Sequence, residues 1–210
     1  VWMQGGFDMA GKGDTRRRII EIAADLAREG GAAQLTFDAV AARLGTSKQA
    51  VIYWFPTKED LIAGVALPAL KAEAACASAA VEEAEGPADA IERFARAVAN
   101  FHLADLDRFR LVYLSPQMGN RASRPRASDR LGQTIHPVTS AMYGALETKL
   151  AVDKSFKVGD DPRRAAVAVH MAALGHVLLV AMADAIDDPL AHDPADLLDS
   201  LVALLTVGHA

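Results

Sequence analysis

Apolar residues recur along the chain at the spacing of an α-helix. Between residues 14 and 29 they follow the i, i+3, i+4, i+7 pattern of an amphipathic helix, which Gly30-Gly31 ends. The same spacing predicts further helices at about 37–44, 47–53, 58–85, 88–103, 106–114, 135–150, 162–186 and 194–207. Pro68 is a predicted kink, and the polar, arginine-rich stretch 119–132 is a predicted loop. Because no strand-like alternation appears, we predict an all-α protein of about nine helices.

The composition fits a soluble globular protein. Of the 210 residues, 51% are hydrophobic and 23% charged, and a single cysteine, Cys76, excludes an internal disulfide framework or a multi-cysteine zinc site. Residues 1–13 are Gly-rich and patternless, which predicts a disordered tail, with Met3 and Met9 as candidate starts. No basic segment followed by an apolar one opens the chain, so we expect a cytoplasmic protein.

Residues 165–182 are almost wholly apolar and about as long as a minimal membrane-spanning helix. The stretch is Ala-rich, contains His170 and His176, and has no second stretch like it in the sequence. A helix that is apolar all round is also typical of the interior of a bundle or a dimer interface. We therefore expect no membrane insertion.

Charge is distributed unevenly along the chain. Residues 12–60 carry eight Lys/Arg against seven Asp/Glu, whereas residues 61–210 carry fourteen against nineteen, and the net charge of the whole is -5. Only one face of a protein has to meet DNA phosphates. The acidic C-terminal part therefore does not exclude DNA binding by the N-terminal part.

Residues 36–55 have the pattern of a helix-turn-helix. A short amphipathic helix, a turn at Gly45 and a second short helix form the unit whose second helix enters the major groove. That second helix opens with Thr46, Ser47, Lys48 and Gln49. Ser and Lys bond phosphates, Lys reads guanine, and Gln pairs with adenine. A solvated turn in an ordinary helical hairpin would show the same residues, so the spacing alone leaves both interpretations open.

These residues resemble the signature of the TetR family of transcriptional regulators. The resemblance lies in Ala39 to Lys48 (AVAARLGTSK) and Tyr53 to Leu61 (YWFPTKEDL), and it covers about residues 14 to 65. It implies an N-terminal three-helix DNA-binding domain at 14–60 and a helical ligand-binding and dimerisation domain at 61–210. It further implies a repressor that binds a palindromic double-stranded operator as a homodimer and is released by an unidentified small-molecule effector.

The resemblance also assigns DNA contacts to particular residues. Ser47, Lys48 and Gln49 would face the groove. Thr36 and Lys58 would meet phosphates, Lys58 from the positive end of a helix, and a plain helix N-cap is the alternative for Thr36. Ile52 stands where the family has a phosphate-binding tyrosine, so Tyr53 and Trp54 are candidates for that contact. For Arg16 and Arg17, in the basic run beside the motif, a phosphate contact and a solvated face both stay open.

The C-terminal part supplies candidates for dimerisation and ligand binding. Residues 165–182 and the last helix suit a dimer interface, in which Ala172, Ala173 and Gly175 would allow close helix approach. The candidate pocket residues are Phe101, His102, Phe109, Tyr113, Met118, Met142, Tyr143, His170, Met171 and His176. Ordinary core packing is the alternative for each of them.

The sequence leaves two other functional classes as alternatives, a helical-bundle enzyme and an interaction module. No Gly-rich phosphate loop, HExxH motif or nucleophile elbow occurs, so we predict no enzyme, no catalytic residue and no cofactor. The acids at Asp105 and Asp107, or those from Asp184 to Asp193, could bind a cation. Acids near helix ends usually cap the helix or are solvated, so we predict no metal site. An interaction module without DNA binding is the remaining alternative.

Overall fold

The computed structural model describes residues 9–114, 127–152 and 161–207, which are helical with short connections. The elements are α1 Met9–Gln34, α2 Phe37–Leu44, α3 Lys48–Trp54, α4 Lys58–Glu82, α5 Pro87–Leu103, α6 Leu106–Phe109, a π-helical turn Arg110–Leu114, α7 Ala127–Val152, α8 Pro162–Ala185 and α9 Pro194–Thr206. No strand occurs in the three described ranges. The predicted all-α class is confirmed.

Local signals set the ends of the first three helices. The helical geometry of α1 is interrupted at Gly30 and at Gly31, whose φ is 68°. Thr36 and Ser47 cap α2 and α3, each accepting a backbone N–H from three residues further on. Between the caps, Gly45 ends α2 with φ 72°, a left-handed conformation that glycine adopts without a steric penalty. The predicted helix–turn–helix succession is present.

One hydrophobic core joins α1, α2 and α3 to the start of α4. Val40, Val51 and Phe55 are buried in it together with Leu61 and Val65. We call this the N-terminal core. The first turns of α4 thus pack with the preceding helices, beyond the domain boundary predicted at residue 60.

A second core holds the rest of the chain together. Helix α4 begins with a capping box between Thr57 and Asp60 and continues past Pro68 into this part. There it packs with α5 and α7, which in turn pack with α8, and α9 lies against α5 and α8. Phe94, Met142 and Leu146 are among the fully buried residues. We call α5 to α9 with the rest of α4 the body.

The structure differs from the sequence predictions in three segments. Helix α1 begins at Met9, inside the stretch predicted as a tail, while residues 1–8 lie outside the described ranges. The predicted loop 119–132 is wrong from Ala127, where α7 begins; the Ala, Arg and Leu of this segment favour helix despite its polar composition. The predicted helix 106–114 is divided, because α6 ends at Phe109 and a π-helical turn follows.

Within the described residues, two helices, α4 and α8, are long and apolar enough to cross a membrane by length and composition alone, so the expectation that residues 165–182 are the single stretch of this kind is wrong. Each carries a buried ionisable residue, and Glu73 of α4 contacts His170 of α8. The two helices therefore pack within one bundle, where apolar composition is typical of core helices in globular proteins.

Candidate nucleic-acid interface and buried polar cluster

The start of α3 forms an exposed polar edge. The side chains of Thr46, Ser47, Lys48 and Gln49 are exposed, whereas Val51 of the same helix is fully buried. Burial of Val51 anchors the helix in the N-terminal core and leaves the polar start of α3 accessible. A groove-reading helix needs this combination of anchored and exposed residues.

Lys48 and Thr36 already have partners within the protein. Lys48 Nζ donates to Asp38 Oδ2 at 2.8 Å, and both side chains are exposed. Exposed ion pairs contribute at most about 1 kcal/mol, so Lys48 can exchange Asp38 for a DNA acceptor at small cost. The Thr36 hydroxyl accepts the N–H of Ala39 at 3.1 Å. Its own hydrogen can still be donated to a phosphate.

The aromatic pair at the end of α3 is divided between solvent and core. Tyr53 is 73% exposed, while Trp54 is half-buried and packs on the N-terminal core. Their rings meet edge to face at 5.4 Å. Tyr53 is thus the more accessible candidate for the contact that Ile52 cannot make.

The remaining basic candidates lie on α1 and at the start of α4. The Arg16 guanidinium lies 5.1 Å from the centre of the Phe55 ring, and Arg17 pairs with Asp14 and Glu21. Lys58 is the first residue of α4 and is exposed. The positive end of α4 adds to its charge at this position.

Polar side chains from five elements meet inside the body around Glu73, which is 1% exposed. Glu73 Oε1 accepts Nε2–H of His170 at 2.8 Å, and Oε2 accepts the Tyr113 hydroxyl at 2.7 Å. The Tyr143 hydroxyl lies 2.7 Å from His170 Nδ1, and His102 Nε2 lies 3.2 Å from Glu73 Oε2. We call these five residues the Glu73 cluster.

The surroundings of Glu73 keep its carboxylate ionised. Burial alone would raise the pKa of Glu73, but contacts with His102, His170 and Tyr113 outweigh burial and lower it to about 2. Burial and the Glu73 charge raise the pKa values of Tyr113 and Tyr143. Both tyrosines therefore remain protonated and act as hydrogen-bond donors at neutral pH.

His102 is the incompletely satisfied member of the cluster. Its ring is fully buried, yet neither nitrogen is oriented for a hydrogen bond with a protein group, although Nε2 lies 3.2 Å from Glu73 Oε2. The rings of Phe101, Phe109 and Tyr113 pack around it at centroid distances of 5.0, 5.4 and 5.3 Å. Buried polar atoms without partners are rare and costly, so a ligand would gain most by bonding here.

The structure brings six of the candidate pocket residues together around Glu73. They are Phe101, His102, Phe109, Tyr113, Tyr143 and His170. Met142 is buried in the same core, and His176 is buried with Nε2 unbonded and its pKa lowered by burial. Met171 is 67% exposed and is not part of the surroundings of the Glu73 cluster. Met118 lies outside the described residues.

The sequence reasoning missed Glu73 itself. Leu70, Glu73 and Ala77 follow the i, i+3, i+7 spacing of the buried face of α4. A carboxylate within an apolar stripe is a signal of a buried, paired charge, because unpaired charges are almost never buried.

Four of the acids considered as cation ligands have other partners. Asp105 and Asp193 cap α6 and α9 by accepting backbone N–H groups. Asp107 and Asp184 both pair with Arg110, at 2.9 and 2.6 Å.

Helix α8 presents a stripe of exposed apolar residues. Met171, Gly175, Leu179, Met182 and Ile186 recur every three or four residues, which places them on one helix face. We call this the α8 stripe. Leu204 of α9 is also exposed.

The sequence and the fold are similar to those of known regulators. Residues 19–65 match the family described as bacterial regulatory proteins, tetR family. A regulator of the TetR/AcrR family from Thermobifida fusca has a similar structure, with 22% identity, 94% of this chain and 99% of that one covered, and a TM-score of 0.63. Comparison with curated proteins gave no match.

Two further solved structures share the fold. The TetR-family regulator PfmR from Thermus thermophilus is 20% identical, with 92% and 99% of the two chains covered and a TM-score of 0.64. The regulator FadR from Bacillus subtilis, solved in complex with stearoyl-CoA, is 18% identical, with 91% and 98% covered and a TM-score of 0.66. Residues 19–65 thus match the tetR family of bacterial regulatory proteins, and the chain as a whole shares its fold with these solved structures.

Proposed function

We propose that this protein is a transcriptional repressor that binds operator DNA through α3 and acts in the cytoplasm without a catalytic step. The exposed start of α3, anchored through the buried Val51, carries the proposal. Lys48 and Gln49 read base edges, and Thr46 and Ser47 bond the backbone at the groove edge.

Phosphate contacts flank the recognition helix. Thr36, Tyr53 and Lys58 are exposed and carry donors, and Trp54 offers its indole N–H from the edge of the core. Arg16 and Arg17 extend the basic surface on α1. Contacts of this kind fix the register of the protein on the duplex and make its affinity fall with salt.

The repressor acts as a homodimer on a palindromic site. One helix-turn-helix reads one half-site, and two half-sites lie about 34–36 Å apart on one face of the duplex. The α8 stripe and the exposed Leu204 of α9 supply an apolar surface for a second copy.

A small molecule with an apolar body and a hydrogen-bonding group is the effector. The Glu73 cluster lies in an otherwise apolar interior, and the unbonded ring of His102 offers the polar contact. A solved relative, FadR, holds stearoyl-CoA, which supports ligand binding by this fold. The ligand releases DNA by favouring a state with altered recognition-helix spacing, through helix α4.

A salt-dependent gel shift tests the DNA-binding proposal. The probes are the promoter region of the protein's own gene and a scrambled duplex of equal length. We expect specific binding that weakens linearly with the logarithm of salt concentration. Equal affinity for both duplexes at all salt concentrations would refute sequence-specific binding.

Two matched lysine variants test the role of α3. Lys48→Ala removes a candidate base contact and should weaken binding about tenfold or more. Lys71→Ala removes an exposed lysine from α4 in the body and should leave the affinity within about twofold. Equal effects of the two substitutions would contradict the role of Lys48.

A further inference from the structure

The π-helical turn Arg110–Leu114 connects the two cores of the molecule. Leu111 is 7% exposed and lies in the N-terminal core, among residues of α1 to α4. Tyr113, two residues further on, packs on the body core and bonds Glu73. Phe109, directly before the turn, is buried in the body core. Neighbouring side chains of one short turn are thus fixed in different parts of the molecule.

The shape of this turn depends on its side-chain contacts. Single π-helical turns are less stable than the α-helix and occur frequently at functional sites. Arg110 fixes the first residue of the turn to α8, since it donates to Ala181 O at 2.8 Å and to Asp184 Oδ2 at 2.6 Å. Beyond Arg110, the buried side chains of Leu111 and Val112 and the Tyr113 hydroxyl hold the turn. Loss of the Tyr113 anchor would allow the turn to relax toward another helical register, and Leu111 would move with it.

The hydrogen bond of Tyr113 uses an oxygen that other groups also approach. Glu73 Oε2 accepts the Tyr113 hydroxyl at 2.7 Å, and His102 Nε2 lies 3.2 Å from the same oxygen. A ligand donor that bonds Glu73 Oε2 therefore competes with Tyr113 for this oxygen, and a ligand that bonds His102 would lie directly beside it. The ring contacts of Tyr113 with His102 and Phe109 would be disturbed by the same molecule.

We propose that Tyr113 is a positioning residue that couples the effector site to the DNA-binding domain by anchoring the π-helical turn to Glu73. Effector binding at His102 and Glu73 releases Tyr113, the turn relaxes, and Leu111 shifts within the N-terminal core. The position of α1 and the start of α4 then changes, and with it the position of α3. This inference rests on the proposed function and names the route of its regulation.

The test compares two tyrosine-to-phenylalanine variants by hydrogen exchange of the full-length, ligand-free protein. Tyr113→Phe keeps the ring and removes the hydroxyl that bonds Glu73. Tyr143→Phe removes the matched hydroxyl that bonds His170, on a helix that does not contain the turn. We expect Tyr113→Phe to accelerate exchange in residues 19–65 as well as in the turn. We expect Tyr143→Phe to accelerate exchange in α7 and α8 alone.

DNA affinity gives the second readout. On a duplex selected by the wild-type protein from a random pool, Tyr113→Phe should weaken binding about fivefold or more, with an unchanged salt dependence because no phosphate contact is lost. Exchange that is unchanged in residues 19–65, or that rises equally throughout both variants, would overturn the coupling role. If the wild-type protein selects no duplex, the proposed function fails, while the exchange comparison still decides the coupling.

Discussion

The Glu73 carboxylate binds side chains from several helices of the body at once. Its two oxygens accept from His170 and Tyr113, and His102 lies beside them. A buried charge is tolerated only when such partners replace the lost water. The same partners make Glu73 sensitive to any change in its own charge or hydrogen-bonding capacity.

Glu73→Gln should lower the free energy of unfolding by about 3 kcal/mol at neutral pH. The figure follows from the difference between the ordinary pKa of 4.5 and the value of about 2 in the folded protein. Urea denaturation measures it. Glu147→Gln is the control, since Glu147 pairs with Arg163 in a partly exposed position and should cost less than about 1 kcal/mol.

The lowered pKa of Glu73 also predicts how the stability difference between wild type and Glu73→Gln depends on pH. The pKa of Glu73 is lowered on folding, so its contribution is fully present above about 4.5 and is lost as pH falls through about 2. The stability difference between wild type and Glu73→Gln should therefore shrink as pH falls from 5 toward 2. A difference that stays constant across this range would show that Glu73 stabilises the fold by its shape and not by its charge.

Asp38 pairs with Lys48, the lysine proposed to contact DNA. Its carboxylate bonds Lys48 at 2.8 Å and adds a negative charge beside the polar edge of α3. We expect Asp38→Asn to tighten operator binding several-fold, because it frees Lys48 and removes repulsion from phosphates. Gel shifts at low and high salt measure the change, which should diminish at high salt. Weaker binding by this variant would mean that the ion pair positions Lys48 for the DNA.

At the scale of helices, close packing of α4 on α3 depends on a missing side chain. A Cβ atom on Gly64 would lie 2.7 Å from Cε1 of the buried Phe55 ring and 3.6 Å from Ile20. Real Cβ atoms do not approach ring carbons so closely, and Phe55 is enclosed by the N-terminal core. Gly64 therefore allows the start of α4 to join α1, α2 and α3.

Gly64→Ala should destabilise the protein by about 1–3 kcal/mol through overpacking, although alanine favours the helix by about 1 kcal/mol. Thermal unfolding followed by circular dichroism measures the effect. In Gly144→Ala the new Cβ would meet only the end of the flexible Arg163 side chain, at 3.6 Å. Gly144→Ala is the control and should leave the thermal stability unchanged or raise it. Similar midpoints for the two variants would mean that Phe55 moves aside without cost.

The sequence predicts elements well where their signals are local. Thr36, Gly45 and Ser47 cap or end short helices, so the bounds of α2 and α3 followed from neighbouring residues. The family resemblance rests on the same segment. The DNA contacts assigned to individual residues remain predictions, because no DNA is present to test them.

Long-range contacts explain what the sequence did not predict. Glu73 and His170 are 97 residues apart, and nothing in the local pattern of either helix pairs them. The π-helical turn depends on anchoring in two cores, and helical periodicity does not distinguish it from a continued helix. Helix α8 is apolar all round, so its periodicity could not separate the buried His170 from the exposed Met171.

At the scale of the whole molecule, we propose that the α8 stripe is the surface through which two copies pair to bind a palindromic site. Its residues lie on one face of a long helix, and Leu204 of α9 is also exposed. An apolar surface of this kind suits an isologous contact, in which the same patch of two copies meets around a twofold axis. Two recognition helices would then share one duplex, and each would gain from the binding of the other.

Met182→Glu tests this arrangement by adding a charge to the α8 stripe, where Met182 is 59% exposed. Around a twofold axis the free-energy cost of burying the new carboxylate counts twice, because both copies carry it into the same apolar contact. We expect the variant to be monomeric by sedimentation and to lose most of its operator affinity while keeping its helical content. Val152→Glu places the same charge on α7, at a residue that is 77% exposed and outside the stripe, and should leave both properties unchanged. A Met182→Glu protein that remains dimeric would exclude the α8 stripe as the interface, whereas a monomer that still binds full operator tightly would separate dimerisation from DNA recognition.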